Sequence, residues 1–240
     1  MEKRKVLITG ASRGIGLAIA KKLSSSYDLI LHASKESSFT ETIPNSSLLC
    51  ADFSNPEEVS SFCKLLKKLH GKDLHAVINN AGITFDKSLI FQPEEEIDKL
   101  LQVNLKTPIL ICKAAMKIFG LNKKGVIINM SSCVGESGNA FQAVYAATKA
   151  GLIALSKSIA KEIGVLHREH SIRVLSVSPG FIESDMTDKI PEKEKEIYLK
   201  MMPSGRFGKA EEIASMVAFL ISDEAAYVNG SNIQVNGGLL

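Results

Sequence analysis

Residues 5–16 read KVLITGASRGIG and run straight into LAIAKKLSSS at 17–26. Lys5 to Thr9 is a short apolar run that closes on Gly10, the pattern of a parallel strand buried on both faces. Gly10, Gly14 and Gly16 permit a tight turn and let backbone approach a ligand closely, and the segment after them has helical periodicity. Strand, glycine turn and helix make the first half of a βαβ unit. The N-terminal end of such a helix is a ready site for a pyrophosphate. The spacing, T-G-x-x-x-G-x-G, departs from the commoner G-x-G-x-x-G.

Outward from this unit, strands and helices keep alternating. Asp28 to Ala33 (DLILHA) reads as the second strand, and Ser47 to Cys50 (SLLC) as the third, with only a brief helix between them because the intervening residues are polar and hold Pro44. Pro56 to Leu69 is a helix capped by Asn55 with proline at its first position. Leu74 to Asn79, Val126 to Met130, Ile172 to Val177 and Asn232 to Val235 are the later strands. Helical stretches lie at Pro93 to Phe119, Val144 to Ile163 and Ala210 to Ile221. Asn104 and Pro108 fall inside the first of these and predict a local irregularity there, since asparagine is a poor interior helix former. The segment 183–206 has no strand signal and carries the charged run EKEKE, which reads either as a solvated helix face or as part of a lid over substrate. Alternation over the full length predicts one α/β domain, residues 1–240, of the Rossmann type: a doubly wound parallel sheet of about seven strands with helices on both faces.

Composition narrows the function classes. The 29 basic and 26 acidic residues give a net charge of +3, too small to argue for nucleic acid, and no aromatic–basic interleaving supports one. No apolar run is long enough to span a bilayer, and the N-terminus lacks the pattern of a secretion signal, so a cytoplasmic protein without membrane attachment is expected. Cys50, Cys63, Cys112 and Cys133 show no metal-ligand spacing, and the five histidines form no H-x-x-x-H pattern, so no catalytic metal is expected.

Chemistry concentrates in residues 132–149, SCVGESGNAFQAVYAATK. Tyr145 and Lys149 fall one turn apart on a helix face. A phenol ordinarily titrates near pH 10, and a neighbouring ammonium favours its anion and lowers that value. Ser132 would hold the oxygen of a carbonyl while Tyr145 gives it a proton. A tyrosine–lysine pair alone is a weak sign, but this chemistry needs a hydride donor, and the glycine turn supplies a place for one. At the end of the second strand no carboxylate stands until Glu36, where one would select NAD. Arg13 and Lys35 either face a 2′-phosphate, which favours NADPH/NADP+, or are solvated surface charges. Asp52, after the third strand, either holds an adenine edge or opens a turn. The amides of Asn79 and Asn80 either bridge neighbouring strands or contact the cofactor.

TGASRGIG (9–16), NNAG (79–82), Asn104, Ser132, Tyr145-x-x-x-Lys149 and PG (179–180) together resemble the short-chain dehydrogenase/reductase family, in order and over essentially the whole chain. The segments NNAGIT (79–84), AATKAGLIALSKSIAKE (146–162), SPGFIESDMT (178–187) and GRFGKAEEIA (205–214), with Gln142, are most similar to the branch that reduces the 3-oxo group of thioesters on acyl carrier protein in fatty acid synthesis. The resemblance implies an NADPH-dependent enzyme, a homotetramer and a carrier-bound 3-oxoacyl substrate. It implies Tyr145 as proton donor, Ser132 polarising the keto oxygen, Lys149 holding the nicotinamide ribose and lowering the tyrosine pKa, and Asn104 holding a water that links the lysine to solvent. Carried over as cofactor contacts are Gly10, Ser12, Arg13, Gly14, Ile15, Ser34, Lys35, Asp52, Phe53, Asn79, Ala81, Gly82, Tyr145, Lys149, Pro179, Gly180 and Ile182. The chain departs from the branch at Val144, in a shortened segment between the second and third strands that bears on Ser34 and Lys35, and in a longer 164–171. Because a carrier protein is acidic, Lys123 and Lys124 before the fifth strand and Arg168 before the sixth are a candidate dock, brought to a pocket mouth by quaternary packing, or else ordinary surface charge.

Overall fold

The structure is a computed structural model that describes residues 3–183 and 192–240. Seven strands form one sheet: β1 (Lys5–Ile8), β2 (Asp28–Ala33), β3 (Ser46–Cys50), β4 (Leu74–Asn79), β5 (Lys124–Met130), β6 (Ser171–Pro179) and β7 (Asn232–Val235). Their spatial order is β3-β2-β1-β4-β5-β6-β7, and every pairing is parallel. The helices are α1 (Gly14–Leu23), α2 (Pro56–His70), α3 (Glu94–Leu101), α4 (Thr107–Asn122), the one-turn α5 (Val134–Ser137), α6 (Ala143–Leu166), α7 (Glu192–Met201) and α8 (Ala210–Ile221). The α/β, Rossmann-type sheet expected from the alternation is therefore present. The strand order reverses between β1 and β4, and in open sheets of this kind that crevice, at the carboxyl ends of the strands, is where ligands bind.

Strand alternation divides the core into two layers. Val6, Ile8, Leu29, Leu31, Ile78, Ile128 and Val177 face α1 and α8, where Ile19, Leu23, Ile213 and Val217 meet them. Leu7, Ile30, Val77, Ile127 and Val174 point to the other face, against Phe62 and Leu66 of α2, Ile111 and Phe119 of α4 and Ile163 of α6. All six residues of β4 are buried, which is why the parallel strands read as unbroken apolar runs rather than as alternating ones. Helix α2 shows how local chemistry sets a boundary. The Asn55 side chain accepts hydrogen bonds from the amides of Glu57 and Glu58, Pro56 follows, and Lys67, Lys68 and His70 lie in the last turn where the helix dipole favours cations.

Three sequence readings are refined. Between β2 and β3 only a 3₁₀ turn forms, Glu36–Ser38, as the polar composition there requires. The helical region from Pro93 divides into α3 and α4, joined by a π-helical turn over Gln102–Lys106 that contains Asn104. The EKEKE run begins α7, which is fastened to the end of β6 by the ring of Tyr198 packing 4.4 Å from that of Phe181. The remaining stretch of the expected lid, 184–191, lies outside the described residues. Among the described residues no helix is long and apolar enough to cross a membrane.

Candidate active site

The glycine turn is built by close approach. The Thr9 hydroxyl accepts from the amides of Asn80 (2.9 Å) and Ala81 (3.0 Å), and the Asn80 side chain donates to the carbonyls of Thr9 (3.0 Å) and Gly10 (3.1 Å). These bonds lock the end of β1 to the end of β4 at the crevice. Gly10 has φ of +63°, and a Cβ there would stand 2.8 Å from the Cα of Ala81. A Cβ on Gly16 would stand 2.6 Å from the Asn80 amide nitrogen and press on the Gly10 carbonyl. Gly14, with φ of +54°, faces open space. Helix α1 begins after exposed Arg13 with no side-chain cap and no acidic residue in its first turn, so its leading amides and positive dipole end are left for an anion. Ser12 and Ile15 are partly exposed on the same turn.

The adenosine side of the crevice is less as expected. Ser34 and Lys35 are exposed beyond β2. Asp52 acts as the opener of a turn: its Oδ1 accepts from the Ser54 amide (2.9 Å) and hydroxyl (2.7 Å). Those bonds, helped by the charges of Lys99 and Lys35, hold its carboxyl below the usual range. The Phe53 ring is buried in the core, stacked 3.8 Å from that of His32. Asn79 is buried and its amide donates to the side chain of Asn129 (2.8 Å), whose own amide donates to Ser156 (2.9 Å). Its side chain bridges β4 and β5, one of the two readings the sequence left open. A carboxamide on a buried strand must find partners, and the adjacent strand supplies one.

On the other side of the crevice β5 ends in Ser131 and Ser132. The Ser131 hydroxyl donates to the carbonyl of Lys149 (2.8 Å), and the Ser132 oxygen accepts from the Val134 amide (3.2 Å). The Ser132 hydroxyl neighbours the Tyr145 phenol and favours its anion. Lys149, one turn along α6 and only 4% exposed, donates from Nζ to the carbonyl of Met130 (2.8 Å), and its Nζ lies 5.6 Å from the centre of the Tyr145 ring. Asn104 is wholly buried. Its amide pairs with the backbone of Ile83 in both directions, accepting at 2.9 Å and donating at 2.8 Å. A Cβ on Gly82 would stand 3.3 Å from Asn104 Oδ1 and 3.5 Å from Lys149 Nζ, so both side chains border that glycine. Gly180, after Pro179 at the end of β6, packs on Asn236, where a Cβ would stand 2.8 Å from its Cα, and Ile182 is buried in a bridge to Gly208.

The electrostatics correct one expectation. Burial pushes the Tyr145 phenol up to about 12, the neighbouring Ser132 hydroxyl pulls it the other way, and the charge of Asp86 adds to the rise. Burial also pushes the Lys149 ammonium down, to about 8. Desolvation thus outweighs the lowering of the phenol expected from sequence. The arrangement is a neutral phenol with a proton to give, beside a cation near its titration point.

Sequence reasoning missed several supports. Asp86 accepts from Thr84 (2.6 Å) and from Gln142 (2.8 Å), and Asn139 holds the other end of Gln142 (3.0 Å), clamping the loop after β4 to the approach of α6. Glu136 accepts from Asn232 (2.7 Å) and Gln234 (3.0 Å), tying α5 to β7. The pairings of Asp86 with Gln142 and of Glu136 with β7 join residues far apart in sequence and carry no local signal. Lys123 and Lys124, in contrast, sit at the opposite end of β5 from Ser132, about 20 Å of strand away. They cannot serve the mouth of the same chain's crevice.

The comparisons with known proteins agree with this geometry. A family model described as enoyl-(acyl carrier protein) reductase matches residues 10–240. The 3-oxoacyl-acyl-carrier-protein reductase of Rickettsia felis is 42% identical over 241 residues, covering 98% of this chain and 95% of that protein. The enzymes of the same name from Escherichia coli K12 and Pseudomonas aeruginosa are each 38% identical, covering 99% and 100% of this chain and 98% of their own lengths.

Proposed function

Because the chain belongs to the short-chain dehydrogenase/reductase family, we propose that it reduces the 3-oxo group of an acyl thioester carried on acyl carrier protein to the (R)-3-hydroxy group, with NADPH, as a step of fatty acid synthesis. The observation that carries the reading is the clustering of Ser132, Tyr145 and a buried lysine whose Nζ lies 5.6 Å from the centre of the tyrosine ring. The family description speaks of an enoyl thioester and the relatives' names of a 3-oxoacyl one. Two neighbouring hydroxyls favour the carbonyl: reducing it leaves charge on oxygen, which needs hydrogen bonds and a proton, whereas reducing a carbon–carbon double bond delivers the proton to carbon.

A nucleotide cofactor fits the crevice between β1 and β4. Glycines stand where a Cβ would collide, and the leading amides of α1 are uncapped for a pyrophosphate. Gly10, Ser12, Arg13, Gly14 and Ile15 would hold the phosphates, Asp52 and the Phe53 backbone the adenosine, and Ala81, Gly82, Pro179, Gly180 and Ile182 the nicotinamide end. Ser34 and Lys35, with Arg13, would meet a 2′-phosphate. A reduced nicotinamide bound there supplies the hydride. Ser132 then holds the substrate oxygen and Tyr145 gives it the proton, for which a phenol titrating near 12 is correctly charged at neutrality. The Lys149 ammonium stabilises the phenolate that remains, and a group titrating near 8 can return a proton to it. Asn104 fixes Gly82 and Ile83 in place beside the lysine. Assembly as a homotetramer in the cytoplasm belongs to the same reading.

The test is oxidation of NADPH, followed by absorbance, with acetoacetyl-CoA or a 3-oxoacyl carrier protein, alongside Tyr145→Phe. Turnover with neither thioester sinks the assignment. Full activity in the phenylalanine variant sinks the proton-donor role, and a preference for NADH removes the phosphate role of Arg13, Ser34 and Lys35.

A further inference from the structure

His32 lies one residue from the end of β2 and is almost fully buried, yet its ring makes a polar contact on each edge. Nδ1 receives the backbone N–H of Gly10 at 3.1 Å, and Nε2 lies 3.0 Å from the carbonyl of Ala51. Since Gly10 N–H is a donor, Nδ1 carries no proton, and Nε2–H donates to Ala51. The ring face stacks on Phe53 at 3.8 Å with planes 8° apart, and Phe62 meets it edge-on at 5.3 Å. The backbone carbonyl of the same residue accepts from the Ala11 amide at 2.9 Å. One residue of the middle strand therefore holds two consecutive residues of the glycine turn on one side and the Ala51–Phe53 end of β3 on the other.

We propose that His32 is a positioning residue for the nucleotide cofactor, fixing the glycine turn and the end of β3 at the separation that the adenosine half requires. The inference rests on the reading that a dinucleotide occupies the crevice between β1 and β4. An ordinary strand histidine would pack against apolar neighbours or reach one backbone group. This one spans two strand ends that have no direct pairing with each other, since β1 and β3 lie on opposite sides of β2. Both ends are loops leaving the sheet, and loops have less to fix their relative position than strands do. Burial keeps the ring neutral, holding its pKa down to about 4, so the acceptor toward Gly10 persists at physiological pH.

Two substitutions separate positioning from packing. His32→Asn keeps an acceptor oxygen near the place of Nδ1. His32→Phe keeps the ring and its stacking but loses both polar contacts. NADPH affinity is read by fluorescence titration, with KM for cofactor and thioester and kcat measured at pH 7.5. His32→Phe is expected to raise the NADPH Kd about tenfold while kcat and the thioester KM stay within about twofold, and His32→Asn to stay within about threefold of the wild type. If His32→Phe does not fold, His32→Gln, which keeps the donor to Ala51 but not the acceptor for Gly10, takes its place with the same expected loss. A phenylalanine or glutamine variant that binds NADPH as the wild type does overturns the proposal. So does a loss shared equally by cofactor affinity, thioester KM and kcat, which is the mark of a packing defect. Failure of the wild type itself to bind NADPH overturns the cofactor assignment beneath it, and is told apart by needing no variant.

Discussion

The same histidine makes stability depend on pH in a calculable way. His32 is 3% exposed and titrates near 4 in the folded chain, against an ordinary value of 6.5. The unfolded chain therefore binds a proton more readily than the folded one between those values. By linkage, stability is whole above about pH 6.5 and falls as the pH is lowered toward 4, below which the loss levels off. With 1.36 kcal/mol per unit, the loss from this residue is about 1.4 kcal/mol at pH 5.5 and about 3 kcal/mol at pH 4. Other groups act in the same direction. His75 and His70 are held down mainly by burial, and the carboxyls of Asp52, Glu212 and Asp223 are held down chiefly by hydrogen bonds, so the raw acid curve is a sum. Urea unfolding of the wild type and of His32→Gln between pH 7.5 and 4 isolates the term: the two free energies should converge by about 3 kcal/mol on acidification. Parallel curves would refute a neutral buried imidazole at this position.

Lys149 sets an alkaline limit. With its ammonium near 8, kcat/KM for NADPH should be constant below that pH and fall about tenfold per unit above it as the charge is lost, and a profile flat to pH 9.5 would exclude the role. Gly16→Ala places a methyl against the Gly10 carbonyl and the Asn80 amide, with a cost of about 1–3 kcal/mol in thermal unfolding and weakened NADPH binding. Wild-type Tm and Kd would show room that the geometry denies. Asn129→Ala breaks the buried chain from Asn79 to Ser156, leaves Asn79 only its contact to Cys112 and Ser156 only its bond to the Leu152 carbonyl, and should lower urea stability by about 1–3 kcal/mol, while an unchanged midpoint would mean that the chain contributes nothing.

Much of the fold was legible because the signals that define it are local. The apolar runs, the glycine turn after the first strand and the Asn55–Pro56 cap place elements with no knowledge of neighbours, and alternation gives the parallel sheet. Asn104 with Pro108 marked an irregularity, and a π-helical turn stands there, because an asparagine inside a helical run is a local conflict that sequence exposes. The residues Ser132, Tyr145, Lys149 and Asn104 were likewise visible as residues. Their environment was not. Whether Tyr145 titrates above or below an ordinary phenol depends on how much water the fold removes from it, and Lys149 meets the same burial. Asp52 and Phe53 illustrate the limit from the other side: one gives an oxygen to its own turn and the other turns its ring into the core.

By itself, then, the sequence determined the order of elements, the sheet's parallel character and the identity of the reacting side chains, all of which follow from periodicity, turn chemistry and residue type over a few positions. Only the tertiary structure decided which distant groups meet: Thr9 with Asn80, Asp86 with Gln142, Glu136 with Asn232, and His32 between Gly10 and Ala51. The physical reason is that burial and long-range hydrogen bonds are properties of the packed chain. A histidine with no partner in its own segment gains two only when three strand ends are brought side by side.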